Sequence, residues 1–142
     1  MTERVLLVDD EEEYLEIMSE RMRARDIEVT TCTSAREALN MIATESYDAV
    51  IMDFMMPEMN GIEALKVIKE KNPEMQIILL TGHATVEKTV EAMKAGAMDL
   101  IEKPADLDAL SEKIKNAHNQ KAQRVAKKDQ DRVIDMLKKF GI

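Results

Sequence analysis

Short, unbroken apolar runs alternate along the chain with longer stretches in which apolar residues recur every three or four positions. The first pattern suits strands and the second amphipathic helices, so the chain is predicted to repeat strand then helix five times. Val5-Leu6-Leu7-Val8 is the first strand, and a helix follows from about Glu12 to Arg25 with Tyr14, Ile17, Met18 and Met22 along one face. The second strand runs from about Glu28 to Cys32. Ser34 then stands where a helix cap is needed, and Glu37 three residues on completes a capping box. Ala49-Val50-Ile51-Met52 is the third strand. After the turn-rich Pro57-Glu58-Met59-Asn60-Gly61, a helix carries Ala64, Leu65, Val67 and Ile68 to about Asn72, where Pro73 stops it. Gln76-Ile77-Ile78-Leu79-Leu80 is the fourth strand, Thr85 to Ala95 the fourth helix with Gly96 as its stop, and Asp99-Leu100-Ile101 a short fifth strand.

These strands are near-continuous apolar runs rather than alternating ones, which predicts burial on both faces by helices, as in a parallel sheet. Right-handed crossovers then make a doubly wound α/β sandwich. In such sheets ligands bind beyond the carboxyl ends of the strands.

A chain of 142 residues fits one domain with an appendage. No apolar run approaches the roughly 20 residues that cross a bilayer, and the amino end leads into a four-residue apolar run rather than a signal-peptide core, so no membrane insertion and a cytoplasmic location are expected. The lone Cys32 can form neither an internal disulfide nor a thiolate metal cluster and reads as a small buried apolar residue. A formal charge of −8 argues against direct nucleic-acid binding, which needs a clustered basic surface. The stretch from Ala105 to Ile142 departs from this balance, with nine Lys/Arg against six Asp/Glu.

The polar residues at the strand ends form one chemical set: Asp9-Asp10 after the first strand, Asp53 after the third, Thr81 after the fourth and Lys103 after the fifth. Three carboxylates at one sheet edge repel one another unless a cation joins them. Oxygen-only donors with few protein contacts suit Mg²⁺. With a lysine and a hydroxyl at the same rim, the set describes a phosphoryl site, where positioning and charge neutralisation supply most of the catalysis. Singly each piece has a plainer reading: Asp10 as a helix start, Thr81-Gly82 as turn chemistry, Lys103-Pro104 as a strand end. The methionines around Asp53, namely Met52, Met55, Met56 and Met59, read as packing. His83 reads as a surface loop residue and His118 as solvent-facing.

From about Val5 to Asn119 the chain resembles the receiver domain of two-component response regulators. The resemblance rests on Leu7-Val8-Asp9-Asp10-Glu11, on Asp53-Phe54-Met55-Met56-Pro57-Glu58-Met59-Asn60-Gly61, on Leu80-Thr81-Gly82 and on Ile101-Glu102-Lys103-Pro104. It implies a flavodoxin-like fold with strand order 2-1-3-4-5, five flanking helices and, here, a C-terminal helical extension. It also implies roles. Asp53 accepts the phosphoryl group; Asp10, Asp53 and the Met55 carbonyl hold Mg²⁺, with Asp9 acting through a water; Lys103 and Thr81 contact the phosphoryl oxygens. The peptide bond before Pro104 is often cis in the family. The donor is a histidine kinase, a phosphotransfer protein or a small acyl phosphate, and the output is a downstream protein target. Autophosphorylation and slow dephosphorylation are then the only chemistry expected.

Two departures stand out. Three residues before the lysine, receivers usually carry Tyr or Phe, and this chain has Leu100. The receiver pattern ends near Asn119, giving a receiver over 1–119 and an amphipathic helical tail over 120–142 with no separate output domain. Its apolar patches, Ala122-Val125-Ala126 and Val133-Met136-Leu137-Phe140, suit a lengthened last helix that docks on the receiver, pairs with a second copy as a homodimer, or leads on to an output domain. Two other functions fit parts of the pattern. A haloacid-dehalogenase-type Mg²⁺ phosphatase also uses an aspartate nucleophile, though after its first strand in an Asp-x-Asp arrangement. A receiver-shaped scaffold that is never phosphorylated is the other.

Overall fold

A computed structural model describes residues 2–141; Met1 and Ile142, the outer ends of the two expected ranges, lie outside the described residues. Ten elements alternate as β1 (Arg4–Val8), α1 (Glu12–Arg23), β2 (Glu28–Cys32), α2 (Ala35–Thr44), β3 (Ala49–Asp53), α3 (Gly61–Lys71), β4 (Gln76–Thr81), α4 (Val86–Ala95), β5 (Asp99–Glu102) and α5 (Leu107–Lys139). All strands pair in parallel, in the order β2-β1-β3-β4-β5. The order reverses direction between β1 and β3, which leaves a crevice at their carboxyl ends.

Each strand of the centre alternates its side chains between two cores. Leu6, Val8, Val50, Met52, Ile77 and Leu79 meet α2, α3 and α4 through Ala38, Leu65, Ile68 and Ala92. Val5, Leu7, Ile51, Ile78 and Leu80 meet α1 and α5 through Leu15, Met18, Met22, Leu110 and Ile114. Cys32 lies in the first of these cores as a buried thiol.

The helix starts follow local chemistry. Ser34, Asn60 and Thr85 each accept the N–H three residues on, from Glu37, Glu63 and Lys88, which satisfies an otherwise orphaned donor. The capping box of α2 is displaced by one residue, since the Glu37 carboxylate takes the N–H of Thr33 rather than that of Ser34. Gly96 ends α4 with φ of 101°, a conformation that suits glycine.

Two expectations need correction. Ile17 is half exposed, and Leu15 takes its place in the core. In a helix on one side of a sheet the buried stripe is set by which residues meet the strands, and residues 15, 18, 19 and 22 do so. His118 does not face solvent: its Nδ1 lies 3.0 Å from the buried Asp48 carboxylate, at ion-pair distance though outside hydrogen-bond alignment. Asp48 also accepts the N–H of Arg4 at 2.7 Å, so it joins β1, β3 and α5 at the edge opposite the crevice. The tail continues the last helix, with α5 running unbroken through residue 119. Lys121, Arg124 and Lys128 tie its middle to Ser46 and Glu74, while Val133, Met136, Leu137 and Phe140 beyond them are exposed rather than docked on the receiver.

Candidate functional site

The crevice is built from five chain segments. β1 ends at Val8 and delivers Asp9, which is 1% exposed, and the exposed Asp10 into the turn before α1. β3 ends on Asp53 and β4 on the buried Thr81. Lys103 follows β5, and its peptide bond to Pro104 is cis. The loop after Asp53 folds back tightly: Gly61 N–H donates to the Phe54 carbonyl, and a Cβ on Gly61 would meet the Asp53 carbonyl oxygen at 2.8 Å. Only glycine fits that approach without moving backbone.

Carboxylate oxygens of Asp9, Asp10 and Asp53 lie within 4.8 Å of one another. The Lys103 ammonium bridges two of them, 2.8 Å from Asp9 Oδ2 and 3.3 Å from Asp53 Oδ1. The other Asp9 oxygen accepts the N–H of Glu11 at 2.9 Å, so both Asp9 oxygens already have protein donors. Burial, and then the neighbouring Asp9 charge, push the Asp53 carboxyl up to about 6 against the opposing pull of Lys103. Burial by itself would lower the Lys103 ammonium, but the contacts with Asp9 and Asp53 outweigh it and leave it raised. Clustered hard oxygen donors of high negative charge fit a divalent cation such as Mg²⁺, which would relieve the repulsion that raises Asp53.

Thr81 Oγ1 is engaged with the main chain of His83. The loop beyond it is pinned twice more, by Lys88 Nζ donating to the His83 carbonyl at 2.8 Å and by the Ala84 N–H donating to Glu102 Oε2 at 2.8 Å. His83 is exposed, as expected of a surface loop. Met55 is 65% exposed beside Asp53, whereas Met52 and Met56 are buried. Leu100 is buried among the residues that pack on α4.

The structure adds Tyr14 and Glu102 to this edge, and neither carries a site signal in the sequence. Tyr14 follows Asp10 by one helical turn and so was placed to reach the same edge, but its apolar spacing made it read as core. Glu102 lies within the Ile101-Glu102-Lys103-Pro104 segment, but nothing in that pattern foretells that its carboxylate takes the Ala84 N–H.

A doubly wound sheet of this order, with an acidic cluster, a threonine and a lysine at its switch point, defines a receiver-type module. The chain belongs to the response regulator receiver domain family, whose model matches residues 5–115. The regulatory protein AtoC of Escherichia coli K12 is 40% identical over 108 residues, 76% of this chain and 23% of AtoC. This chain thus spans about a quarter of the length of the curated relatives it matches. A receiver domain crystal structure from Clostridium thermocellum superposes with a TM-score of 0.80 at 35% identity, covering 85% of this chain and 98% of that one. The solution structure of the beryllofluoride-activated NtrC4 receiver domain dimer gives 0.76 at 32% identity, covering 82% and 97%. Family membership sets aside the haloacid-dehalogenase alternative. Among the described residues no helix is long and apolar enough to cross a membrane.

Proposed function

We propose that this chain is a phosphorylation-switched signalling module whose phosphoryl acceptor is Asp53. The observation that carries the reading is the Lys103 ammonium held between Asp9 and Asp53, with Asp10 in the same cluster. An Asp53 oxygen attacks the donor phosphorus in line. The bond from phosphorus to the donor nitrogen or oxygen breaks, and its electron pair leaves with the donor. Asp10, Asp53 and the Met55 carbonyl would hold Mg²⁺, with Asp9 acting through a water because both its oxygens are taken. The ion would neutralise charge on the phosphoryl oxygens and on the carboxylates. Lys103 then shifts its hydrogen bonding from Asp9 towards the new phosphoryl oxygens, and the Thr81 hydroxyl turns to them.

The donor is a histidine kinase or phosphotransfer protein in the cytoplasm, and the output is contact with a downstream protein. A net charge of −8 over these residues favours a protein partner over direct nucleic-acid contact for the receiver itself. Likeness to a receiver described as a dimer and the exposed apolar residues late in α5 support a homodimer through the last helix and its extension.

Mass spectrometry after incubation with acetyl phosphate and Mg²⁺ tests the chemistry. One phosphoryl addition, abolished by Asp53→Asn, is expected. No addition in the wild type would favour the unphosphorylated scaffold.

A further inference from the structure

Tyr14 sits in the first turn of α1, and the chemistry above does not use it. Two observations set it apart. Its ring lies against the Lys103 ammonium, with Nζ 4.2 Å from the ring centroid. Its hydroxyl is buried without a hydrogen-bond partner among the described residues. Burying a hydroxyl unpaired is destabilising, so a leucine would fill the space more favourably. What leucine lacks is the negative face of an aromatic ring.

We propose that Tyr14 is a positioning residue for phosphoryl acceptance, its ring holding the Lys103 ammonium at Asp53 while a metal engages the carboxylates. With the carboxylates free, Asp9 and Asp53 hold the ammonium at 2.8 and 3.3 Å and the ring adds little. Mg²⁺ on Asp10 and Asp53 would cancel part of that attraction and repel the ammonium besides. The ring is no donor for a hard cation, so its pull on the ammonium persists. Lysine has a long flexible stem and strong hydration. Without the ring, the solvated rotamers compete at the moment the phosphoryl group arrives.

The proposal rests on Asp53 as acceptor, and the experiment keeps the two apart. Tyr14→Leu should slow phosphorylation by acetyl phosphate at saturating Mg²⁺ about five- to tenfold, the size expected of one desolvated cation–π contact. Tyr14→Phe should restore the rate. NMR of the Lys103 ammonium gives a readout that needs no turnover. On adding Mg²⁺ alone, its signal should persist in wild type and Tyr14→Phe and broaden by solvent exchange in Tyr14→Leu. Should Tyr14→Leu fail to fold, phenylalanines of increasing fluorination at position 14 keep the shape while weakening the ring face, and the rate should fall with each added fluorine. A wild-type rate in Tyr14→Leu, a flat fluorine series, or equal loss in Tyr14→Phe overturns the proposal. Failure of the Asp53 reading looks different: the wild type takes up no phosphoryl group, while the NMR comparison still decides the ring contact.

Discussion

The hydroxyl of Thr81 and the main chain of His83 are paired twice, the hydroxyl donating to the His83 carbonyl at 3.3 Å and accepting the His83 N–H at 3.3 Å. A hydroxyl committed in this way must give up at least its donated bond before it can serve a phosphoryl oxygen on Asp53. The loop that follows is the element best placed to register that exchange, since Leu100 offers no ring to move.

Thr81→Val keeps the shape and removes the hydroxyl. Phosphorylation should continue roughly three- to tenfold more slowly, the equivalent of one net hydrogen bond. Amide NMR shifts of residues 82–85 on adding beryllofluoride and Mg²⁺ should shrink well below those of the wild type. Full-sized shifts in Thr81→Val would show that the loop responds to Asp53 by another route.

Asp53 makes stability depend on pH. Its carboxyl titrates near 6 in the fold, against an ordinary value of 3.8. The raised value means that the neutral form stabilises the fold, fully below pH 3.8, and that this is lost as pH rises through about 6. Asp53→Asn stays neutral throughout. In metal-free protein it should therefore gain up to about 3 kcal/mol over wild type at pH 8, with the difference fading by pH 4. Urea unfolding at pH 4, 6 and 8 measures this, and a pH-independent difference contradicts it.

Met55 governs lifetime on the resemblance, because side chains two positions after the acceptor and two after the threonine flank the path of the hydrolytic water. Its 65% exposed thioether binds water weakly. Slow autodephosphorylation is the expected outcome, and Met55→Asn should speed it severalfold. Decay of the aspartyl phosphate at equal or lower rate in the mutant would exclude this role.

The distal half of α5 bears Val133, Met136, Leu137 and Phe140, each between 42% and 71% exposed. Packing four such side chains against a second copy contributes roughly 1.5–3 kcal/mol each before ordering costs are subtracted. Val133→Asp with Met136→Asp should lower self-association in sedimentation, with and without beryllofluoride, while leaving phosphorylation intact. Identical sedimentation of mutant and wild type would make this stretch a solvated helix.

Features that depend on neighbours along the chain are legible in the amino-acid order alone. Unbroken apolar runs mark strands that must be buried on both faces. Ser34 marks a helix start because a cap acts across three residues. Asp9, Asp10, Asp53, Thr81 and Lys103 were legible because each ends or follows a strand, and strand ends in a parallel sheet share one edge. Strand order came from the resemblance alone. Features that depend on distant partners emerge only in the folded chain: Leu15 rather than Ile17 in the core, His118 against Asp48, and the outward face of distal α5. The contact of Tyr14 with Lys103 belongs here too. It joins residues 89 positions apart through α1 and the end of β5, and no periodicity in either segment encodes which cation an aromatic ring will meet.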